Sequence, residues 1–420
     1  MPIGIVNTPD IQTDLDDASA NLETLNVELV AEKPKYDETQ IIQAASELKC
    51  KHIDLLVLLP LHGACAPLLV LASEHSEAKT VIWALPVRYS LPTSASAIGA
   101  LNDKTTRATL VFGPASDKKV TEQIELQART CFAINCLKET RIGTLGEVFG
   151  LMTASYYDKN VLRARLGPEV VHIPLSDYKK VLTEIDEDEI SKACQEIPKY
   201  IKIQIDNKVL RKGMKQHLAL RKLARTRNLQ AMTLECHSEL IKEFGINPCL
   251  GFIETSYYVG CEGDVVMSAA ALLTRYLTSR YVLMIDPFTI DSEGVMTMLH
   301  CGGPACCSEG VRETVIMEGQ SPSHVGRPTP LAMCRPKFRV GEKVTLFRLY
   351  GSNIDKAHIA LGEIVSCETE TNLDLRIRLA GGKDQFVRYL CGNHYLVVLG
   401  DIRKDLKVFF ASMSIDLAES

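Results

Sequence analysis

Four short, mainly apolar runs mark the first third of the chain: IGIV at 3–6, IDLLVLL at 53–59, VIWALP at 81–86 and ATLVFG at 108–113. A strand with little polar surface to offer water has to be covered on both faces, and a parallel sheet with helices above and below achieves that. Helical spacing between the runs, as in 38–48, makes this part a series of βα units. The stretch YSLPTSASAIGALN predicts a loop that opens a helix at Ser94 or Ser96, each able to cap a first turn through its hydroxyl. His62, Gly63 and Cys65 follow the second run at a strand's carboxyl end, where open α/β sheets gather ligands; a loop histidine without a ligand fits there too.

From Arg141 the pattern starts again. RIGTLG at 141–146, VVHIPL at 170–175 and QAMTLEC at 230–236 read as strands, with 176–227 helical and strongly charged. Charges of both signs recur there at helical spacing, the mark of a solvated helix face. Beyond Glu342 the period falls to two: KVTLFRLYG, AHIALGEIVSCE, LDLRIRLAG, QFVRYL and HYLVVLG are short alternating runs between turn residues. Such runs predict an antiparallel sheet or small barrel, with an amphipathic helix at 403–413 packed on it. The expected fold class is α/β: two Rossmann-like domains with parallel sheets at 1–140 and 141–288, then a mainly antiparallel β domain at 289–420.

Composition narrows the function. A formal charge of −5 over 420 residues gives no basic footprint for nucleic acid. No apolar run reaches the roughly 18 residues that span a bilayer. Met1 to Asp10 lacks the basic start and apolar stretch of a signal peptide. The expectation is a soluble cytoplasmic protein with no membrane partner. The 14 cysteines are scattered through predicted elements, which favours reduced, buried thiols, and Cys306-Cys307 does not build the paired CxxC halves of a zinc site.

The chemistry concentrates in 256–303, SYYVGCEGDVVMSAAALLTRYLTSRYVLMIDPFTIDSEGVMTMLHCGG. Glu262 and Asp286 stand at the ends of two apolar elements joined by a helix, and His300 follows on the next strand-like run. A carboxylate at the edge of an apolar element is costly to desolvate unless paired, hydrogen-bonded or bound to a metal. The spacing allows a strand end, a crossover helix over Asp264–Leu277 and the next strand YVLMI, so that the acids face one another across neighbouring parallel strands. One helix-capping acid and one strand-end acid account for the same spacing, and Asp264 itself reads as the helix cap. Two carboxylates, an imidazole and open water positions suit Mn²⁺ or Mg²⁺, with the histidine tilting the choice towards manganese. Such an ion binds two vicinal sugar oxygens and polarises a carbonyl, while the carboxylates move a proton between C1 and C2 through a cis-enediol.

CEGDVVMSAAALLTRYL, VLMIDPFTID, LHCGG and a late GNHYLVVLGD together resemble the signature of the L-fucose/L-arabinose isomerase superfamily, nearest its L-fucose isomerase branch, in a shortened form. The resemblance is best over about 230–303 and 392–401; before Arg141 it extends only to general architecture. It implies two α/β domains and a C-terminal antiparallel domain. It implies a metal held by Glu262, Asp286 and His394, with the two acids also shuttling the proton and His300 near the substrate. Trimers or hexamers are a further implication. The Cys-Glu-Gly-Asp motif departs from that of fucose isomerases, which widens the expected substrate to a pentose, deoxyhexose or modified sugar. The expected function is a metal-dependent aldose-ketose isomerase; a non-catalytic sugar-binding relative and a metal-assisted sugar lyase or epimerase are the alternatives.

Overall fold

A computed structural model of the chain describes residues 12–30, 35, 37–60, 63–87, 89–103, 108–236, 249–253, 256–308, 314–319, 331–370 and 372–420. The strand expected at 3–6 and the candidate His62 lie outside the described residues. Contacts gather the chain into two units, Met1–Asn135 and Cys136–Ser420.

The first unit is built on a parallel sheet of β1 (Leu55–Leu58), β2 (Lys79–Ala84) and β3 (Ala108–Phe112), in that order. Because strand side chains alternate between faces, Leu55, Val57, Val81 and Trp83 pack into one buried cluster and Leu56, Leu58 and Ile82 into another. Both faces are therefore covered, which is why the runs are mainly apolar. Each such buried aliphatic side chain stabilises the fold by roughly 1.5–3 kcal/mol. The helix expected to open at Ser94 or Ser96 opens earlier, at Ser90. Ser90 Oγ accepts the Leu85 N–H at 3.0 Å, whereas Ser94 Oγ donates to the Ser90 carbonyl at 2.7 Å inside the helix and cannot cap it.

The second unit begins with a parallel sheet of β4 (Arg141–Leu145), β5 (Glu169–His172), β7 (Ala231–Leu234) and β8 (Tyr258–Cys261), in the order β5-β4-β7-β8. The charged stretch 176–227 holds three helices, Leu175–Glu184, Glu187–Gln195 and Asn207–Thr226, and also β6 (Ile201–Gln204), which pairs in parallel with β11 (Thr314–Gly319), itself antiparallel to β12 (Leu331–Pro336). The helix Asn207–Thr226 buries Leu210, Met214, Leu218 and Leu223, and its outer charges meet neighbouring acids, Arg211 with Glu187 at 2.5 Å and Lys222 with Glu184 at 2.9 Å.

The C-terminal strands form a barrel. It comprises β9 (Val282–Ile290), β10 (Val295–His300), β13 (Lys343–Tyr350), β14 (Lys356–Glu368), β15 (Leu373–Leu379) and β16 (Tyr395–Leu399), with β17 (Asp416–Glu419) added in parallel to β14. The order β13-β16-β9-β10-β15-β14 closes on itself through antiparallel pairing of β13 with β14. Leu283, Ile285, Met296, Met298, Leu346 and Val397 are among the side chains of its core. QFVRYL, expected as a strand, lies within the helix Gly382–Tyr389 up to Tyr389. Only Phe386 of that helix is buried, whereas Val387 and Leu390 are half-exposed, so the run has one inward anchor instead of an alternating face. All 14 cysteines are free, and no helix among the described residues is long and apolar enough to cross a membrane.

Candidate active site

β8 ends at Cys261, and the chain then turns sharply. Glu262 has φ 58° and Gly263 φ 75°, two consecutive residues in the left-handed region. For glycine this is inexpensive, but a glutamate there stores strain of the kind that clusters at working sites. A Cβ on Gly263 would lie 2.4 Å from the Glu147 carbonyl oxygen, so the position is closed to any side chain. The turn is pinned by the Phe149 N–H donating to the Glu262 carbonyl at 2.9 Å and by the Gly263 N–H donating to the Leu234 carbonyl at 3.2 Å. Asp264 then caps the helix Val265–Thr278 by accepting the Met267 N–H at 3.1 Å, as its position in the sequence indicates.

That helix delivers the chain to β9, and here one expectation is corrected. Glu262 and Asp286 do not face one another across neighbouring parallel strands: β8 is the edge of the parallel sheet, while β9 lies in the barrel between β16 and β10. Asp286 sits within β9, with Leu299 of β10 opposite it. The β9–β10 register shifts between Thr297 and Met298, opposite Pro287, which has no N–H to give the ladder. On the other side Tyr395 pairs with Ile285, and the same register carries His394 opposite Asp286.

His394 is fully buried. Its Nε2 stands 3.5 Å from Glu262 Oε2 and 3.9 Å from Asp286 Oδ1, yet has no hydrogen-bond partner among the described residues. Its Nδ1 lies 3.0 Å from Asp264 Oδ2. The same Asp264 oxygen accepts from Ser155 Oγ at 2.6 Å and lies 3.8 Å from Arg348 Nη1. Arg348, also buried, donates to the His394 carbonyl at 2.6 Å, to the Ala154 carbonyl at 3.1 Å and to Ser155 Oγ at 3.2 Å. Asn393 donates to Asp286 Oδ1 at 3.4 Å. His300 is buried, its ring centroid 6.4 Å from that of His394, and its Nδ1 donates to the Gly302 carbonyl at 2.6 Å.

The charges of this cluster are coupled. Burial works against a charged His394, but the Asp264 hydrogen bond and the Asp286, Asp264 and Glu262 charges overcome it and push the imidazole up to about 9. For Asp264 burial acts upwards, and the His394 hydrogen bond and charge, with Arg348 and Ser155, bring the carboxyl below its ordinary value. For His300 burial wins over the pull of Asp286 and the Gly302 hydrogen bond, and the ring is shifted down.

Glu262, Asp286, His300 and His394 thus lie in the second unit, three of them meeting at His394 Nε2, whereas Gly63 and Cys65 belong to the first. Among the described residues no group of three or more His, Cys, Asp or Glu side chains is drawn together tightly enough to hold a metal as it stands. The chemistry of the donors nevertheless suits a hard divalent ion: two carboxylates face a buried imidazole nitrogen that no hydrogen bond among the described residues satisfies. Sequence reasoning missed Arg348, Ser155, Asn393 and the second role of Asp264. Arg348 had a signal, since an arginine at the centre of the apolar run KVTLFRLYG has to find buried partners. Ser155 had none.

No family model matches the chain. Sulfoquinovose isomerase of Priestia aryabhattai and sulfoquinovose isomerase of Priestia megaterium (strain ATCC 12872 / QMB1551) are each 22% identical to it over 201 residues, 46% of this chain and 45% of the relative. The chain therefore matches less than half the length of these curated relatives. This distant similarity relates it to sugar isomerases.

Proposed function

We propose that the second unit carries the active site of a metal-dependent aldose-ketose isomerase, with Glu262, Asp286 and His394 holding Mn²⁺ or Mg²⁺. The observation that carries this reading is the buried His394 Nε2, facing two carboxylates 3.5 and 3.9 Å away and without a hydrogen bond among the described residues. When bound, the ion would supply Lewis-acid polarisation of the sugar carbonyl.

The protein's own residues do the rest. Glu262 and Asp286 both face His394 Nε2, and one carboxylate takes the proton from C2 as the other serves O1 and O2; return of that proton to C1 collapses the cis-enediol to the ketose. The left-handed backbone at Glu262 sets the direction in which its side chain leaves the turn before substrate arrives. Neutral His300, its Nδ1–H committed to Gly302, offers its other ring nitrogen to a sugar hydroxyl.

For the substrate we propose a modified or deoxy sugar or a pentose, and sulfoquinovose, the sugar in the names of both relatives, is the first of these to test. We extend the proposal to a cytoplasmic homo-oligomer, a trimer or hexamer, as the resemblance to fucose isomerases implies. The test is thermal denaturation of the purified full chain with and without Mn²⁺, followed by product analysis on a panel of aldoses headed by sulfoquinovose. Binding to the native state alone stabilises by about 2.7 kcal/mol at a hundredfold excess over Kd, so the melting temperature should rise and a ketose should form. No stabilisation by Mn²⁺ or Mg²⁺ would overturn the metal site, and stabilisation without turnover of any aldose would favour the sugar-binding alternative.

A further inference from the structure

Asp264 does more than cap a helix. It is fully buried, and its two oxygens are divided between tasks: Oδ1 accepts the Met267 N–H at 3.1 Å, while Oδ2 lies 3.0 Å from His394 Nδ1 and 2.6 Å from Ser155 Oγ. Hydroxyl and imidazole thus converge on one oxygen, with Arg348 Nη1 3.8 Å away as counter-charge. Arg348 also holds the His394 backbone carbonyl at 2.6 Å, so the histidine is gripped at both main chain and ring. An anionic Oδ2 can only accept, so the neutral ring must carry its proton on Nδ1 and keep a lone pair on Nε2.

We infer that Asp264, supported by Ser155 and Arg348, is a positioning residue that fixes His394 as the Nδ1–H tautomer and aims its Nε2 lone pair at the space between Glu262 and Asp286. The inference rests on the metal-site reading for its purpose, but the tautomer is a property of the metal-free chain. A histidine whose outer nitrogen is held by a carboxylate is a better and better-oriented ligand, and loss of such a partner typically weakens metal binding 10–100-fold. The Cys-Glu-Gly-Asp turn therefore supplies both a donor, Glu262, and, two residues later, the group that orients the donor's distant partner.

The experiment combines Mn²⁺ titration by calorimetry with ¹⁵N–¹H NMR of the His394 ring in the metal-free full chain, at a pH above its titration. Wild type should show a protonated Nδ1 and an unprotonated Nε2. Asp264→Asn, whose amide can donate to Nδ1 and shift the proton to Nε2, should bind Mn²⁺ roughly 10–100-fold more weakly with the ring signals exchanged. Ser155→Ala, which leaves the carboxylate in place, should keep the Nδ1–H tautomer and lose less affinity than Asp264→Asn. Should Asp264→Asn fail to fold, the wild-type tautomer decides. An Nε2–H tautomer in the wild type, or unchanged Mn²⁺ affinity in folded Asp264→Asn, overturns the inference. Absence of Mn²⁺ binding by wild type with the Nδ1–H tautomer intact would instead overturn the proposed function and leave the positioning role standing.

Discussion

His394 Nε2 lies 3.5 Å from Glu262 Oε2, although Glu262 directly follows β8 of the parallel sheet and His394 directly precedes β16 of the barrel. The helix Val265–Thr278 joins the two sheets, and the strained turn before it sets the direction of the glutamate. Replacing Glu262 by glutamine keeps its shape and removes its charge. Turnover should fall by about 10²–10⁴-fold or more, the usual worth of a positioned proton-transfer group. The urea midpoint should move little, because the side chain is not a core residue. A steady-state assay beside an unfolding curve checks both; full activity would remove Glu262 from the proton path.

Gly263→Ala tests the turn. The added methyl would sit 2.4 Å from the Glu147 carbonyl at a φ of +75°, where no rotamer relieves the clash. A loss on the order of 2–4 kcal/mol is expected, read as a lower urea midpoint at unchanged slope. Mn²⁺ affinity should fall with it, since the turn carries Glu262.

pH acts on two buried histidines in opposite directions. His394 is pushed up to about 9 in the folded chain, first against burial and then by its carboxylate neighbours, from an unfolded value near 6.5. The stability it contributes, on the order of 3 kcal/mol, is complete below about pH 6.5 and is lost as pH rises through 9. Burial brings His358, hydrogen-bonded to Tyr395 at 2.7 Å and Ser420 at 2.8 Å, down to about 4. Its contribution is present above pH 6.5 and is lost as pH falls through 4. Metal-free protein should accordingly unfold at the highest urea concentration near neutrality. Mn²⁺ affinity should rise between pH 6.5 and 9, as the proton that competes for His394 Nε2 leaves.

Arg348→Met leaves Asp264 buried without its guanidinium and the His394 carbonyl without its donor. Removing one partner of a buried ion pair costs on the order of 3–5 kcal/mol, so the variant should melt well below wild type or fail to fold. A melting temperature within a degree or two of wild type would show that the cluster does not hold this part of the unit together.

The sequence made the layers legible because each has its own period. Continuous runs such as IDLLVLL announce a sheet covered on both faces, and LDLRIRLAG announces a barrel strand with one inner face. QFVRYL misled because Phe386 alone turns inward, and six residues are too few to tell one anchor from a stripe. Glu262 and Asp286 were legible as acids set against apolar runs, but their partner sheets were not. Local spacing carries no information on whether a strand after a crossover helix returns to its own sheet or starts another. The Asp264–His394 contact, 130 residues apart, lay beyond any local pattern.

The central claim is proton transfer between C1 and C2 at this site, and solvent isotope exchange tests it most directly. Mn²⁺-loaded protein is incubated with sulfoquinovose and the other aldoses in D₂O, and C1 and C2 are followed by NMR. Isomerisation through a cis-enediol predicts deuterium at C1 of the ketose and, on reversal, at C2 of the recovered aldose, with Glu262→Gln abolishing both. Ketose formed by the wild type without deuterium at either carbon, or deuterium incorporated equally by Glu262→Gln, would contradict it.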